Sequence, residues 1–307
     1  MSDFVIVNEV GPRDGLQSQG KTLSVAERLQ LIEALLDSGI RHIEAGSFVS
    51  PKAVPQMAGT GELFADLPLR NETAYSALVP NLRGYELALA AGARSIAVVL
   101  SATETMNQRN INMSLEQTTA VCAELMQRAR ADGIDARAYV AVAFECPFEG
   151  LTSPAVVEAL TLRMFEAGAG KVIVADTIGA ANPQSVKRVL ERLTGLDAAS
   201  TLSCHFHDTR GMALANVLAA LEFGVREFDS SIGGLGGCPF SPGASGNLAT
   251  EDLVLMLQAM GLYTGIDLDR LVAAVEQAQR LTGSTLGGHS YRWLLRERNK
   301  RQEVANA

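Results

Sequence analysis

Along this chain, short apolar runs alternate with longer stretches whose apolar positions recur at helical spacing. Phe4–Val10 reads as a first strand and leads into Gly11-Pro12-Arg13-Asp14-Gly15, a run of turn-forming residues. A helix follows from Ser24. Ser24 and Glu27 have the spacing of a capping box, Val25, Leu29, Ile32 and Leu36 form one stripe, and Gly39 ends the helix. Arg41–Glu44 is the next strand, and the alternation repeats with strands over Glu72–Val79, Ser95–Leu100, Ala136–Ala143, Lys171–Ala175, Thr201–Phe206 and Arg226–Asp229. Between them, Leu82–Ala91 reads as a helix, and so does Leu115–Ala131 after a long polar loop. Ser153 before Pro154, and Asn182 before Pro183, each predict an N-cap followed by proline at the first helical position.

Eight strands alternating with helices, several of them apolar on both faces, predict a parallel sheet covered by helices. Eight repeats favour a closed (β/α)8 TIM barrel over an open doubly wound sheet, and no G-x-G-x-x-G follows the first strand. The barrel is expected over about residues 1–262. Leu268–Leu281 and Gly288–Asn299 predict a C-terminal helical extension, about 263–307, packed on the barrel within one catalytic domain.

The composition, 47% hydrophobic and 20% charged over 307 residues, is that of a globular chain. A net charge of -8 argues against a nucleic-acid partner, so an anionic substrate has to be held by local arginine, lysine, metal or helix N-termini. Cys122, Cys146, Cys204 and Cys238 form no C-x-x-C pair, which indicates neither a zinc knuckle nor a disulfide framework. No signal-peptide pattern opens the chain and no apolar run reaches membrane-spanning length, so a cytoplasmic protein with no membrane partner is expected.

Functional groups of such a barrel belong at the C-terminal ends of its strands. Arg13-Asp14 follows strand one, Glu44 ends strand two, Asp176 follows strand six, and His205-Phe206-His207 ends strand seven. After strand eight comes Ser231–Asn247, in which Cys238 sits among six glycines and two prolines. On a strand, His205 and His207 share a face. With Asp14 and Asn247 at neighbouring strand ends, the set suits octahedral Mg²⁺ or Mn²⁺; Cys238 as a zinc ligand is the rival. Arg13 can stabilise an oxyanion, and Glu44 and Asp176 read either as acid/base groups or as anchors for Arg13 or a histidine. Ser47 and Arg109 are candidate substrate contacts, Arg109 for a CoA phosphate. Cys146, His42 and His289 read as structural or surface residues.

VGPRDGLQ (10–17), IEAGSFVSPKAVPQM (43–57), VPN (79–81), ADTIG (175–179), HFHDT (205–209) and GLGGCPFSPGASGNLATEDLV (234–254) together closely resemble the 3-hydroxy-3-methylglutaryl-CoA lyase family. The match runs in register over nearly the whole chain, and the Gly-Leu-Gly-Gly-Cys-Pro block is characteristic of those enzymes. The resemblance implies a (β/α)8 barrel, a divalent metal and retro-Claisen cleavage of an acyl-CoA substrate, giving acetyl-CoA and acetoacetate. It implies Asp14, His205, His207 and Asn247 as metal ligands, Arg13 as the enolate-stabilising cation and Cys238 as a catalytic thiol. Glu44 and Asp176 match acidic active-site residues, and Cys238 or His205 is the candidate proton donor. A homodimer or higher homo-oligomer is the expected assembly. The chain departs from the family pattern at Ala45-Gly46, Glu145 and Arg210, where the family tends to carry Thr-Thr, Gly and Tyr. These changes bear on the acyl pocket. The alternatives are therefore citramalyl-CoA or a longer 3-alkyl homologue as substrate, or an acyl-CoA-condensing synthase of the same superfamily.

Overall fold

The computed structural model describes residues 3–196, 199–237 and 246–305. Eight parallel strands close on themselves: β1 (Ile6–Glu9), β2 (His42–Ser47), β3 (Ala74–Leu78), β4 (Ser95–Ser101), β5 (Asp135–Ala141), β6 (Lys171–Asp176), β7 (Leu202–Phe206) and β8 (Glu227–Ser230). Each strand pairs with its neighbours in sequence, and β1 closes the ring on β8 with Ile6 opposite Glu227 and Asn8 opposite Asp229. This is the (β/α)8 barrel that the alternation predicts.

Around the barrel lie α1 (Val25–Asp37), α2 (Thr60–Asp66), α3 (Leu82–Ala90), α4 (Glu104–Ile111), α5 (Leu115–Asp132), α6 (Pro154–Ala167), α7 (Pro183–Leu193), α8 (Ala213–Glu222) and α9 (Thr250–Ala259). Two further helices, α10 (Leu268–Thr282) and α11 (Tyr291–Ala305), form the C-terminal extension, with α10 packed on α1 and α11 on α10. Local chemistry sets several of these boundaries. Ser24 and Glu27 make the expected reciprocal capping box, and Asn182 accepts from the Ser185 N–H ahead of Pro183. Ser153 does precede a helix beginning at Pro154, but its side chain makes no capping bond; the proline's fixed φ starts the helix without it.

Two helices escape the sequence reading. α2 and α4 are short, and α4 fills part of the polar loop expected before α5. The Gly11–Gly15 segment is a helical turn and not an irregular loop: the Val10 carbonyl accepts N–H groups from Arg13, Asp14 and Gly15.

The helix-facing sides of the strands join the large apolar core, which includes Leu31, Leu35, Val98, Val140 and Val174. The lumen is built differently. Ala97, Tyr139, Ile173 and Ala175 form a small inner cluster against Val99, where the two alanines leave room for the tyrosine ring. Toward the N-terminal ends of the strands, Glu227 accepts from Arg137 at 2.5 Å and also from Lys171.

Candidate active site

The site begins with the turn after β1. Glu9, fully buried, accepts the N–H groups of Gly11 (2.8 Å) and Ile232 (2.9 Å) on one oxygen and the Thr250 hydroxyl (2.6 Å) on the other. It thereby ties the loop after β1 to the loop after β8, and burial pushes its carboxyl up to about 7. A Cβ at Gly15 would lie 2.9 Å from the Leu235 carbonyl oxygen, so glycine lets the two loops touch.

This turn presents Arg13 and Asp14 over the barrel mouth. Arg13 is buried and donates to Asp14 Oδ1 (2.5 Å) and to Glu44 Oε2 (2.7 Å), which lies inside β2 and not at its end, because the strand runs on to Ser47. Burial alone would raise the Asp14 carboxyl, but Arg13, His205 and His207 outweigh it and hold Asp14 well below the usual carboxylate range. Glu44 moves the other way, because burial dominates over its pairing with Arg13.

His205 is the penultimate residue of β7, in register with Asp229 of β8 and Ala175 of β6. Its Nδ1 lies 3.0 Å from Asp229 Oδ2, and the same oxygen accepts the Tyr139 hydroxyl at 2.7 Å. Burial lowers the affinity of this imidazole for a proton, but Asp229 and Asp14 outweigh it and the pKa is raised. The rings of His205 and His207 lie 5.1 Å apart, while Phe206 packs beside Phe144. His207 is pushed down to about 3, first by burial and then by the charge of His205.

Asn247 reaches this group because residues 246–248 run along the end of β7. Gly246 accepts the Asp208 N–H, Leu248 donates to the Phe206 carbonyl, and His207 bridges to Asn247. The Asn247 amide spends its hydrogens on Asp14 Oδ2 (2.9 Å) and the Leu235 carbonyl (3.3 Å), leaving Oδ1 without a partner. His207 Nδ1 is likewise buried and unpartnered. One ligand atom from each of Asp14, His205 and His207 lies within 4.8 Å of the others. Two orphaned acceptors beside a carboxylate and an imidazole fit a bound divalent cation, which would satisfy them together.

The remaining predicted residues lie at graded distances from this centre. Asp176 accepts the Ala180 (2.8 Å) and Ala181 (3.1 Å) N–H groups, closing the turn after β6; burial raises its carboxyl to about 6. Ser47 is buried and donates to the Leu78 carbonyl at 3.3 Å. Arg109 lies on α4, not in a loop, with its guanidinium 4.5 Å from the Phe148 ring centroid, and joins none of the groups above. Cys238 lies outside the described residues. The glycines of its stems serve close packing: a Cβ at Gly236 would sit 2.7 Å from Asn247 Nδ2, and one at Gly246 would sit 2.6 Å from the Gly236 carbonyl carbon. His289, read as a surface or packing residue, is exposed and lies 3.0 Å from Asp208 Oδ2. Buried Cys146 accepts from the Thr103 hydroxyl. Glu145 and Arg210, two departures from the family pattern, pair with each other at 3.1 Å on the rim.

Three groups went unassigned in the sequence: Asn8, Tyr139 and Asp229. Asp229 carried a signal, a carboxylate at a predicted strand end; Asn8 and Tyr139 are revealed only by register and reach.

A closed barrel whose mouth joins two histidines, a carboxylate and a free amide oxygen to a buried arginine defines a (β/α)8 enzyme class with a donor set able to hold a cation. The chain belongs to the HMGL-like family, whose model matches residues 5–277. It is 48% identical to the hydroxymethylglutaryl-CoA lyase of Pseudomonas mevalonii, over 86% of this chain and 88% of that protein. A Pseudomonas aeruginosa protein described as a 3-hydroxy-3-isohexenylglutaryl-CoA/hydroxy-methylglutaryl-CoA lyase is 39% identical over 94% of this chain and 96% of its own. The crystal structure of a hydroxymethylglutaryl-CoA lyase from Pseudomonas aeruginosa superposes with a TM-score of 0.93 at 38% identity, covering 97% of this chain and 99% of that one.

Proposed function

We propose that this protein is a divalent-metal-dependent carbon–carbon lyase that cleaves 3-hydroxy-3-methylglutaryl-CoA to acetyl-CoA and acetoacetate. The observation that carries this reading is the placement of Arg13, a buried cation fixed at 2.5 Å from Asp14, beside the cluster that fits a metal. The relatives named above support the choice of substrate.

Asp14, His205, His207 and Asn247 would hold the ion, and two oxygen donors with two imidazoles suit Mg²⁺ or Mn²⁺. When bound, the ion supplies Lewis acidity toward the substrate's hydroxyl and free carboxylate. The rest falls to the chain's own groups. A base takes the hydroxyl proton, the C2–C3 bond breaks, its electron pair moves onto the thioester, and acetoacetate leaves as the ketone. Arg13 faces the developing enolate oxygen, held in place by Glu44 and Asp14 so that no reorganisation is needed when charge appears. Cys238, or His205 where it is not engaged as a ligand, returns a proton to the enolate carbon. Asp176, whose carboxyl is raised to about 6, is suited to proton exchange near neutral pH.

A second substrate is favoured by one observation: the relative whose description names an isohexenyl substrate is matched over 94% of this chain. The test is a panel. Purified protein with Mg²⁺ or Mn²⁺ is given 3-hydroxy-3-methylglutaryl-CoA, its isohexenyl homologue and citramalyl-CoA, and acetyl-CoA is measured. Turnover of the first with loss of activity in EDTA is expected. Metal-independent turnover, or none with any substrate, overturns the reading; turnover of a homologue alone keeps the reaction and replaces the substrate.

A further inference from the structure

We propose that Asp229 is the positioning residue for His205, fixing its tautomer and ring orientation, and that Tyr139 and Asn8 hold Asp229 in turn. This deepens the reading above and rests on His205 being a metal ligand.

Strand register brings the groups together. Asn8 of β1 lies opposite Asp229 of β8, and Asp229 lies opposite His205 of β7, so the three share one layer of the lumen. Three donors converge on the two Asp229 oxygens. Asn8 Nδ2 reaches Oδ1 at 2.8 Å, while the Tyr139 hydroxyl (2.7 Å) and His205 Nδ1 (3.0 Å) share Oδ2. A carboxylate there accepts, so Nδ1 carries the hydrogen and Nε2 keeps the ring's only free lone pair for a ligand. Asp229 itself is 2% exposed and has no route to bulk solvent for a substitute partner.

Tyr139 reaches this layer from β5, two strands away from β7, through the space left by Ala97 and Ala175. It does two things there. Its ring meets the His205 ring edge-on, with centroids 6.1 Å apart at 81°, which blocks rotation of the imidazole. Its hydroxyl also lies 3.5 Å from Glu44 Oε2, the oxygen that accepts from Arg13. One phenol thus stands between the branch that orients the histidine and the branch that orients the arginine. Partners of this kind fix ligating histidines in other metal sites, and their loss costs about 10–100-fold in metal affinity.

The chain has four histidines, so imidazole ¹⁵N NMR of the metal-free protein can resolve them. At a pH high enough for every ring to be uncharged, wild-type His205 should show the Nδ1–H tautomer. Asp229→Ala should shift it to Nε2–H or a mixture, leave the other three histidine signals in place, and weaken Mn²⁺ binding by about 10–100-fold, measured by EPR of free Mn²⁺. Asp229→Asn should restore much of both, because its amide oxygen can still accept from Nδ1 once Asn8 turns its own amide. If Asp229→Ala fails to fold, Asp229→Asn and Tyr139→Phe decide. Tyr139→Phe keeps the tautomer but should broaden the His205 signals and weaken Mn²⁺ binding several-fold. A folded Asp229→Ala with wild-type tautomer and Mn²⁺ affinity overturns the proposal, as does an Nε2–H tautomer in the wild type. If wild-type protein binds no Mn²⁺, the metal reading fails while the tautomer comparison still judges Asp229.

Discussion

Two clusters of buried charge lie one above the other in this barrel. Near the N-terminal ends of the strands, Glu227 takes Arg137 on one oxygen and Lys171 on the other, and the carboxylate is fully used. At the mouth, Arg13, Asp14, Glu44, His205 and His207 are just as crowded, yet Arg13 Nε, Glu44 Oε1, His207 Nδ1 and Asn247 Oδ1 have no hydrogen-bond partner. Buried polar atoms are normally satisfied, and leaving one bare costs about 1–3 kcal/mol. The lower cluster, where the neighbouring His42 Nδ1 is the one such atom among the described residues, is therefore read as architecture, and the upper one, with four, as a site whose partners come from outside the chain. Charge and burial alone would not have separated them.

The sharpest way to break this comparison is Glu227→Ala. It leaves Lys171 without its carboxylate and Arg137 with Asp135 alone, and unfolding free energy in denaturant melts should fall by about 3–5 kcal/mol, while Mn²⁺ affinity of the folded protein stays at the wild-type value. At the mouth the balance shifts: Arg13→Met should cut kcat of the folded protein by about 10²–10³-fold and cost less stability than Glu227→Ala, since buried Glu44, whose carboxyl is already raised, can take up a proton where its partner is lost. If Arg13→Met unfolds the protein with no separate loss of kcat, the two clusters are alike after all.

Smaller is the stabilisation by metal. At a hundredfold excess over Kd, Mn²⁺ should raise unfolding free energy by about 2.7 kcal/mol, and Asn247→Ala should remove most of that gain, read by melts with and without EDTA. Another lever is pH. Burial raises Glu9 from 4.5 to about 7, and Glu251 likewise. Each keeps its proton in the folded state at a pH where the unfolded chain has lost it. Their stabilising contribution is full below about pH 4.5 and declines as pH rises through 7. Melts in EDTA should show this decline, and Glu9→Gln should flatten it.

The barrel was legible in the sequence because each strand is a short apolar run bounded by turn residues. α4 was not, because Glu104–Ile111 is polar, lacks a side-chain N-cap, and is held by contacts to distant chain, such as the Thr105 N–H on Glu149. The gathering of Asp14, His205 and His207 could be read from strand ends and from the two-residue spacing of the histidines. Asn8 and Tyr139 could not, since their importance lies in which strands become neighbours and how far a ring reaches across the lumen. The stem glycines have a local reason that only the structure shows: a Cβ at 236 would meet the Asn247 amide, and one at 246 would meet the backbone of 236.

The pairing of β1 with β8 has a consequence for how the chain is made. Asn8 and its partner Asp229 are separated by 221 positions. At roughly 5–20 residues per second, a ribosome needs on the order of ten to forty-five seconds to supply the second after the first. For that interval the emerging chain carries β1 with one hydrogen-bonding edge open, a feature that invites pairing with other chains. Asp14 waits about as long for His205, His207 and Asn247. A cation held by these residues would therefore seal a finished barrel, having nothing to grip while the barrel is being born.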